Sequence, residues 1–467
     1  MFTKEFLWTF GDSTAVVTQA GEHYSYQELS GLSEDWYENI GHRCLVFCLC
    51  QNTIGSLVGY VSCLSNKVVP LLLDASLDIA LLNNLIEVYR PEYLWLPKRR
   101  LNDFEDTELV YEWGNYVLVK LCNGNVYTLY DDLGLLLTTS GSTGSPKLVR
   151  LSYENIYSNA EAIAEYLSIT GAERPVTLLP MNYSFGISVI NSHLLQGATI
   201  LLTDKSLMEK DFWSFIKEEK ASSLSGVPYT YEMLKRLRFF RMDLPSLRTL
   251  TQAGGKMGVE LTREFAEYAQ VNDKRLFVMY GQTEATARMS YLPAELALSK
   301  AGSIGLPVPG GVFRLIDVDN REITGSDVEG ELVYEGANVS LGYADSGEDL
   351  GKGDENNGIL YTGDLAKRDS DGYYYITGRK KRFIKLFGNR INLDETEGLL
   401  KKMLQDCACI GVDDRMVIYI TEQGREEEIR QYISAKTGIH FKSFDVRWID
   451  SIPKASSGKT IYAGLIL

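Results

Sequence analysis

Apolar residues follow two spacings along the first part of the chain. Residues 44–50 and 68–73 are short continuous apolar runs, which are typical of strands buried on both faces. Residues 54–64 and 79–89 instead repeat their apolar positions at helical spacing. This alternation of strand and helix predicts parallel sheets covered by helices.

The same alternation continues through the middle of the chain. Residues 152–167 have one apolar stripe and a serine at position 152, which predicts an amphipathic helix with Ser152 as its N-cap. Further predicted strands are 133–137, 177–179, 199–203 and 276–280, and further predicted helices are 212–217 and 229–237.

The pattern changes after about residue 301. Short strands broken by Gly, Asp and Asn occupy residues 301–376 and predict an antiparallel, β-barrel-like region, and the segment after it predicts a small α+β unit. A chain of 467 residues exceeds what one hydrophobic core usually supports. We therefore predict an α/β protein with a large N-terminal domain of doubly wound sheets, residues 1–380, and a small mobile C-terminal domain, residues 381–467.

Composition narrows the class of protein. A formal charge of −15 argues against a nucleic-acid partner, which would require a basic stripe. No apolar run approaches the ~18 residues of a membrane span, and the first residues do not resemble a signal peptide. The seven cysteines lack zinc-binding spacing, so we expect buried free thiols and a cytoplasmic protein.

A loop rich in glycine and hydroxyl residues follows the predicted strand 133–137. Glycines let the backbone turn its N–H groups inward, hydroxyls add donors and a lysine adds a positive charge, a combination that suits a polyphosphate. An ordinary Gly/Ser turn is the alternative. The candidate residues are Thr139, Ser140, Gly141, Ser142, Thr143, Gly144 and Lys147.

A second candidate segment is Tyr280-Gly-Gln-Thr-Glu284, directly after a predicted strand. Ligands bind where strands of a parallel sheet end. Tyr280 offers a stacking face, Thr283 a hydroxyl, and Glu284 a carboxylate suited to Mg²⁺. The alternative is a strand-to-loop turn with a solvated glutamate.

Three later segments carry further candidates. Asp364 can accept both hydrogen bonds of a ribose diol, and Arg379 can bind the same sugar or a phosphate, although a hairpin with an Asp turn is the alternative. Gly388 permits close approach of a ligand or another chain segment. Lys459, in residues 452–460, is expected on a flexible tail, where a solvated charge is the alternative.

Taken together and in their order along the chain, these candidate segments resemble the motifs of the AMP-forming acyl-adenylate superfamily. That group includes the acyl- and aryl-CoA synthetases, the adenylation domains of nonribosomal peptide synthetases and the beetle luciferases. Residues 24–29 and 302–307, and Gly330-Glu-Leu332 with Gly342-Tyr343, look like further signatures, so the resemblance covers essentially the whole chain.

The resemblance implies a nucleotide site. ATP would be held at its β- and γ-phosphates by residues 139–147, and Gly254 and Gly255 would line the adenine pocket with Tyr280 on the ring. Thr283 would contact the α-phosphate and Glu284 would bind Mg²⁺.

The resemblance also assigns the later candidates. Asp364, helped by Arg379, would hold the ribose, and Lys459 would bridge the carboxylate and α-phosphate. Lys381 would be the hinge of a rotating C-terminal domain, and Gly388 would lie on the tunnel for the thiol arm.

The predicted acyl pocket is lined by Asn182, Phe185, Gly186 and Gly281. Amino-acid-activating relatives place an aspartate where this chain has Phe185-Gly186-Ile187, and Tyr183 stands where histidine is frequent. Without that carboxylate the ammonium of an α-amino acid would be poorly compensated. The substrate is therefore expected to be a small carboxylic acid without an α-amine.

The predicted function is an acid–thiol ligase that uses ATP and Mg²⁺ and ends with CoA or a carrier-protein phosphopantetheine. The basic segment 379–385 suits either CoA or an acidic carrier protein, or it is a solvated basic face. A stand-alone amino-acid-activating adenylation enzyme is the alternative function. A luciferase-like oxygenase or an inactive binding protein is a third.

Overall fold

The computed structural model describes residues 1–105, 107–138, 147–386, 389–412, 414–437, 439–454 and 460–467. The chain divides into two compact units. The first contains the described residues of 1–139, 145–312 and 335–360, and the second those of 313–334 and 361–467. The functional boundary at residue 381 stays a prediction.

The described residues form eleven α-helices. They are α1 (Lys4–Trp8), α2 (Tyr26–Glu38), α3 (Ile54–Ser65), α4 (Ile79–Tyr89), α5 (Tyr153–Leu167), α6 (Ser184–Leu194), α7 (Lys210–Glu218), α8 (Pro228–Arg236), α9 (Val259–Val271), α10 (Leu393–Leu400) and α11 (Glu426–Thr437). Among these helices, none is both long and apolar enough to cross a membrane.

The strands of the described residues are β1 (Thr14–Thr18), β2 (His23–Ser25), β3 (Leu45–Cys50), β4 (Val69–Asp74), β5 (Tyr93–Pro97), β6 (Thr107–Trp113), β7 (Tyr116–Leu121), β8 (Leu133–Thr138), β9 (Leu148–Ser152), β10 (Pro175–Val176), β11 (Ile200–Leu202), β12 (Ser223–Gly226), β13 (Thr249–Gln252), β14 (Arg275–Tyr280), β15 (Ser290–Leu292), β16 (Leu306–Pro307), β17 (Val312–Ile316), β18 (Gly330–Glu335), β19 (Gly342–Ala344), β20 (Ile359–Arg368), β21 (Tyr374–Arg379), β22 (Phe383–Leu386), β23 (Asn389–Asn392), β24 (Cys407–Val412), β25 (Arg415–Ile420) and β26 (Phe444–Trp448).

Two large sheets dominate the first unit. One has nine strands in the order β16-β15-β14-β13-β12-β10-β11-β1-β2, with parallel pairing from β14 to β1 and antiparallel edges. The other has eight strands in the order β19-β9-β8-β4-β3-β5-β7-β6, with β8, β4, β3 and β5 parallel. Both sheets are therefore mixed, with parallel centres.

Both faces of the large sheets are covered. In the nine-stranded sheet Val16 joins the core shared with α2, α3, α5 and α6, whereas the next residue, Val17, joins a separate core with α7, α8 and α9. In the eight-stranded sheet Cys48 belongs to the shared core and Phe47 to a core on the other face with α4. Because successive side chains of a strand point to opposite faces, burial on both sides produces the continuous apolar runs of the sequence.

The second unit contains smaller sheets. β17, β18, β20 and β21 form a four-stranded sheet, β22 and β23 a hairpin, and β24, β25 and β26 a three-stranded sheet. The last two sheets share an apolar core with α10 and α11. The predicted α/β class, with large doubly wound sheets and smaller additional sheets, is confirmed.

Most predicted elements are confirmed, including α4 and the Ser152 cap of α5. The Ser152 hydroxyl accepts a hydrogen bond from the N–H of Asn155 over 2.9 Å. The predicted strand at 177–179 is wrong, because β10 ends at Val176. The N–H of Thr177 still donates to the Leu201 carbonyl oxygen over 3.0 Å, and its hydroxyl then accepts from the N–H of Thr203 over 3.0 Å. Helix α6 was not predicted, since its first turn looked like a motif loop.

Candidate active site

The predicted segments of the first unit gather at one edge of the nine-stranded sheet. Strands β10, β12, β13 and β14 run parallel, and they end at Val176, Gly226, Gln252 and Tyr280. Their carboxyl ends therefore lie at the same edge, where ligand sites of open α/β sheets form. The segments 182–186, 253–255 and 280–284 all follow these ends.

Gly254 packs directly against Tyr183. Its φ is +80°, and a Cβ added there would lie 2.4 Å from the Tyr183 hydroxyl oxygen and 3.1 Å from Cγ1 of Val227. Both the backbone angle and the contact therefore require glycine. A Cβ on Gly255 would lie 3.2 Å from Cγ of Pro228, which is a tight contact. Burial raises the pKa of Tyr183 to about 12, so its phenol is neutral at ordinary pH.

The hydroxyls of Ser184 and Thr283 are joined by a hydrogen bond of 3.2 Å. Ser184 is the first residue of α6, and Thr283 begins a short 3-10 turn that ends at Ala285. The predicted acyl-pocket segment and the predicted α-phosphate residue are therefore in direct contact.

Glu284 is connected to Lys147 through Tyr343. The Tyr343 hydroxyl donates to Oε1 of Glu284 over 2.8 Å, and the Lys147 ammonium lies 3.9 Å from the centroid of the Tyr343 ring. Burial, followed by the neighbouring Glu284 carboxylate, raises the pKa of Tyr343 well above its usual value. The tyrosine therefore remains a hydrogen-bond donor to Glu284. Residues 139–146 of the predicted phosphate loop lie outside the described residues.

The backbone around Glu284 is held by a neighbouring loop. The N–H of Ser340 donates to the Glu284 carbonyl oxygen over 2.9 Å, and the Thr286 hydroxyl donates to the Asn338 carbonyl oxygen over 2.7 Å. The Asn338 amide donates in turn to the Ala285 carbonyl oxygen over 2.9 Å. This part of the site is therefore preorganised by the fold.

Two glycines of the predicted acyl pocket are required by close packing of backbone. A Cβ on Gly281 would lie 1.8 Å from the Ala287 carbonyl oxygen, and one on Gly186 would lie 2.1 Å from the Pro180 carbonyl oxygen. Phe185 is buried in the first turn of α6. Asn182 is half-buried in the turn before that helix. Whether these residues contact an acid stays a prediction.

Asp364 and Arg379 lie in the second unit, on neighbouring strands. They are opposite each other in the register of β20 and β21, and Nε of Arg379 is 3.3 Å from Oδ1 of Asp364. The aspartate is buried, whereas 61% of the arginine side chain is exposed. The two candidates are therefore neighbours, and their role toward ribose stays a prediction.

The hinge and thiol-tunnel predictions concern residues at the start of the C-terminal region. Lys381 belongs to a 3-10 turn over Lys380–Arg382. The next residue, Arg382, donates from Nη2 to Oε1 of Glu397 over 2.7 Å and to the Cys409 carbonyl oxygen over 3.0 Å. The chain is therefore fixed to the C-terminal core immediately after Lys381. Gly388 lies outside the described residues.

Lys459 also lies outside the described residues, but the residues on either side of it are packed. Lys454 and Thr460 form an antiparallel bridge, and the N–H of Ile461 donates to the Pro453 carbonyl oxygen over 2.8 Å. Beyond them Leu465 is buried. Thr460, Ile461 and Leu465 therefore pack against the C-terminal unit, and the flexible tail expected around Lys459 stays a prediction.

The cysteines are free, and all but Cys122 are buried. Burial raises the pKa of the Cys44 thiol far above its usual value, which makes it a poor nucleophile.

The ligand atoms of Cys44, His42 and Glu92 lie within 4.8 Å of one another. Both ring nitrogens of His42 are engaged, at 2.7 Å from the Ile40 carbonyl oxygen and 2.9 Å from Glu92.

Sequence reasoning missed three residues at this edge of the sheet. The sequence predicts Tyr343 only as part of a signature, and it assigns no role to Ser184, which lies between the predicted pocket residues Asn182 and Phe185. Arg288 is not among the predicted residues, although a single charge among the small and apolar residues of 285–292 is a signal for a buried cation.

Comparison with known proteins assigns the family. A sequence model of the family described as AMP-binding enzyme matches residues 7–344. This chain belongs to the AMP-binding enzyme family, and its resemblance to the acyl-adenylate superfamily is confirmed.

Named relatives support the same family. A 4-coumarate–CoA ligase-like protein of Arabidopsis thaliana is 30% identical over 348 residues, which are 71% of this chain and 60% of the relative. A mitochondrial medium-chain acyl-CoA ligase of Rattus norvegicus is 30% identical over 349 residues, which are 71% of this chain and 56% of the relative. The chain therefore spans less than two thirds of the length of these relatives.

Among solved structures, o-succinylbenzoate CoA synthetase from Bacillus subtilis, in complex with its acyl-adenylate intermediate, has the same fold. The TM-score is 0.79 at 22% identity, with 98% of this chain and 96% of the other covered.

Proposed function

We propose that this chain is an AMP-forming acid–thiol ligase, which activates a carboxylic acid with ATP and passes the acyl group to a thiol. The observation that carries the proposal is the set of contacts at one edge of the nine-stranded sheet. Ser184 meets Thr283 there, and Glu284 meets Tyr343, whose ring also contacts Lys147. A hydroxyl pair, a carboxylate and a cation are the groups that a magnesium–nucleotide complex requires.

The chemistry proceeds in two transfers. A carboxylate oxygen forms a bond to the α-phosphorus of ATP while the bond to the pyrophosphate oxygen breaks. The thiol then loses its proton, its sulfur bonds to the acyl carbon and AMP leaves. Because the first step joins two anions, the protein contributes mainly by positioning the reactants and stabilising negative charge.

The proposed roles follow the sequence predictions. Lys147 supplies a point charge for the phosphates, and Thr283 a donor for the α-phosphate. Tyr280, Gly254 and Gly255 hold the adenine. The other proposed nucleotide residues are Thr139, Ser140, Gly141, Ser142, Thr143 and Gly144 for the phosphates, Asp364 and Arg379 for the ribose, and Lys459 for the reacting carboxylate.

Glu284 is the proposed ligand of Mg²⁺. The donor set fits this metal, because Mg²⁺ prefers carboxylate oxygens and the Tyr343 hydrogen bond orients the Glu284 carboxylate. When bound, the ion supplies charge neutralisation at the phosphates. The chain's own contribution is to keep Glu284 in place through Tyr343 and through the Ser340 N–H.

CoA is the preferred acceptor, and carrier-protein phosphopantetheine is the alternative. The names of the relatives favour CoA, since both quoted sequence relatives are named as CoA ligases or ligase-like proteins. Lys381 and Gly388 keep their predicted roles as hinge and thiol-tunnel residues.

An acid without an α-amine is supported by the charge near Phe185. The guanidinium carbon of Arg288 lies 4.8 Å from the centroid of the Phe185 ring. A cation at this position would repel a substrate ammonium. A stand-alone amino-acid-activating enzyme is therefore the less favoured alternative.

The decisive experiment is ATP–pyrophosphate exchange across a panel of acids. We expect exchange with one or more carboxylic acids that lack an α-amine. Exchange with amino acids alone would establish the alternative, and no exchange with any acid would contradict the proposal. Product analysis with free CoA and with a pantetheinylated carrier protein then identifies the thiol.

A variant at Lys459 tests the proposed assignment of the reacting lysine. Lys459→Ala is expected to lower the exchange rate by ~10²–10³ while ATP binding is retained, since it removes one charge from the transition state. Lys442→Ala, at an exposed lysine of the same region, is the matched control and should exchange normally. Near-normal exchange in Lys459→Ala would show that the assignment is wrong.

A further inference from the structure

Arg288 is a buried cation at the predicted acyl pocket. The residue is 1% exposed, and its guanidinium lies over the Phe185 ring. Nη1 donates to the Tyr166 hydroxyl over 3.2 Å and lies 3.4 Å from the sulfur of Met279. Across the described residues, no carboxylate forms an ion pair with Arg288.

Arg288 contrasts with Arg150, another arginine buried in the first unit, because Arg150 has a carboxylate partner. Arg150 donates to Oε2 of Glu355 over 2.5 Å and to the carbonyl oxygens of Tyr343 and Leu341 over 3.0 Å each. Its charge is therefore fully compensated. Burying a guanidinium without an anion is unfavourable, so the exception at Arg288 requires an explanation.

One edge of the Arg288 guanidinium has open donors. Nε is fully buried without a hydrogen-bond partner, and within the described part of the chain neither Nε nor Nη2 donates a hydrogen bond. Nε and Nη2 form the side of a guanidinium that holds both oxygens of a carboxylate at once. The vacant donors thus have the geometry of a carboxylate-binding fork.

Glu173, an acidic side chain whose charge acts on the neighbouring His193, is already paired. Glu173 accepts from Nη2 of Arg248 over 3.0 Å and also from the Ser222 hydroxyl. Within the same region, burial and then the charge of Arg288 lower the pKa of His193, which leaves the imidazole neutral. Among the described residues, no carboxylate therefore pairs with Arg288, and the neutral His193 does not compete with it for an anion.

The surroundings of Arg288 match the tail of an acyl substrate. Phe185 and Met279 belong to one apolar cluster, together with Val227 and Ala253. Ala253 precedes Gly254, which is assigned to the adenine, and Phe185 follows Ser184, which contacts Thr283, so this cluster adjoins the proposed nucleotide site along the chain. An acid whose reacting carboxylate faced Thr283 would extend its other end toward these side chains.

We infer that the acid carries a second carboxylate, which Arg288 binds through Nε and Nη2. The inference rests on the proposed function and specifies its substrate class as a dicarboxylic acid. The apolar cluster would contact the carbon chain, and Arg288 would select acids that have an anion at the far end.

Length-matched pairs of acids provide the test. ATP–pyrophosphate exchange is measured with glutarate against pentanoate, adipate against hexanoate, and phthalate against benzoate. In at least one pair we expect kcat/KM to be higher for the diacid by about 10-fold or more, because a monoacid leaves the guanidinium unpaired. Exchange with monoacids in preference to every diacid would overturn the inference and leave the proposed function intact.

Variants separate recognition from a purely structural role. Arg288→Met is expected to lower kcat/KM for the diacid by on the order of 10²-fold and to change that for the monoacid by less than about 3-fold. Arg288→Lys keeps the charge but loses the fork, and should give an intermediate loss. Arg263→Met, at a partly exposed arginine of α9 that pairs with Glu260, is the control and should leave the ratio unchanged.

An equal fall for both acids in Arg288→Met would assign Arg288 a structural role and overturn the inference. If that variant fails to fold, the ratio of kcat/KM for the diacid and the monoacid in the unaltered protein still tests the inference. No exchange with any acid would instead contradict the proposed function itself.

Discussion

The phenol hydroxyl of Tyr343 donates a hydrogen bond to Oε1 of Glu284 over 2.8 Å. Tyr343 lies on β19, at an edge of the eight-stranded sheet, whereas Glu284 follows β14 of the nine-stranded sheet. This bond therefore joins residues from the two large sheets. It also gives the carboxylate proposed to hold Mg²⁺ one fixed orientation.

Removing this hydroxyl should weaken the response to Mg²⁺. Tyr343→Phe keeps the ring under the Lys147 ammonium but leaves Glu284 without its donor. The Mg²⁺ concentration for half-maximal exchange is expected to rise by about 10-fold, as for other groups that orient a metal ligand. The matched control is Tyr157→Phe, which removes an exposed Tyr157–Glu161 hydrogen bond. An unchanged Mg²⁺ requirement in Tyr343→Phe would contradict the role of this contact.

Gly281 should not tolerate a side chain. The added methyl of Gly281→Ala would lie 1.8 Å from the Ala287 carbonyl oxygen, so the turn before Thr283 must move. We expect the free energy of unfolding to fall by at least about 3 kcal/mol, at the upper end for overpacking. Gly31→Ala, in α2 with open space around it, is the control and should gain about 0.5–1 kcal/mol. Urea unfolding measures both, and equal stability of the two variants would refute the packing argument.

His193 should make the stability depend on pH. Burial, followed by the charge of Arg288, lowers its pKa to about 4. Below pH 6.5 the unfolded chain takes up a proton that the folded chain does not, so stability is lost as pH falls from about 6.5 to about 4 and is complete above 6.5. Between pH 7 and pH 5 this residue should account for about 2 kcal/mol.

The measurement compares urea unfolding at these two pH values. Since Nδ1 of His193 donates to the Val189 carbonyl oxygen over 2.8 Å, His193→Asn can keep this bond without titrating. The variant should show a smaller pH difference than the unaltered protein. His23→Asn, at an exposed histidine, should show the same pH difference as the unaltered protein. A pH difference that persists in His193→Asn would exclude this residue as its source.

Glu397 should stabilise the C-terminal core. Its carboxylate accepts from Nη2 of Arg382 and the N–H of Cys409 over 2.7 Å each, and from the Tyr462 hydroxyl over 3.0 Å. Glu397→Ala leaves the half-buried Arg382 guanidinium with Asp394, 2.7 Å from its Nε, as the remaining carboxylate, and removes the acceptor of the Cys409 N–H, so the region should lose about 1–3 kcal/mol. Hydrogen exchange of β24 and β25 provides the measurement.

The control is Glu427→Ala, which removes an exposed ion pair with Arg430 on α11. Such pairs are worth about 0–1 kcal/mol, so protection should change little. Equal losses of hydrogen-exchange protection in the two variants would mean that the hydrogen bonds of Glu397 stabilise the region no more than an exposed ion pair does.

Local pattern was a reliable guide where the signal involves neighbours along the chain. Helix α4 begins and ends where its apolar spacing does, and the hydroxyl of Ser152 caps α5 as expected. The strand predicted at 177–179 failed because backbone pairing with β11 stops after the N–H of Thr177, whose hydroxyl then accepts the hydrogen bond of the Thr203 N–H. Helix α6 was missed because Gly186, a poor helix former, occupies its first turn in order to pack against Pro180.

The sequence alone determined the residue types, the order of the motifs and the family to which they belong, because these are properties of single segments. Only the tertiary structure decided which segments meet. Ser184 contacts Thr283 and Tyr343 contacts Glu284, although each pair is far apart along the chain. Such contacts depend on strand order and register, for example on β10 lying between β12 and β11. The open donors of Arg288 likewise became visible only once its neighbours were known, because a lack of partners is a property of the fold.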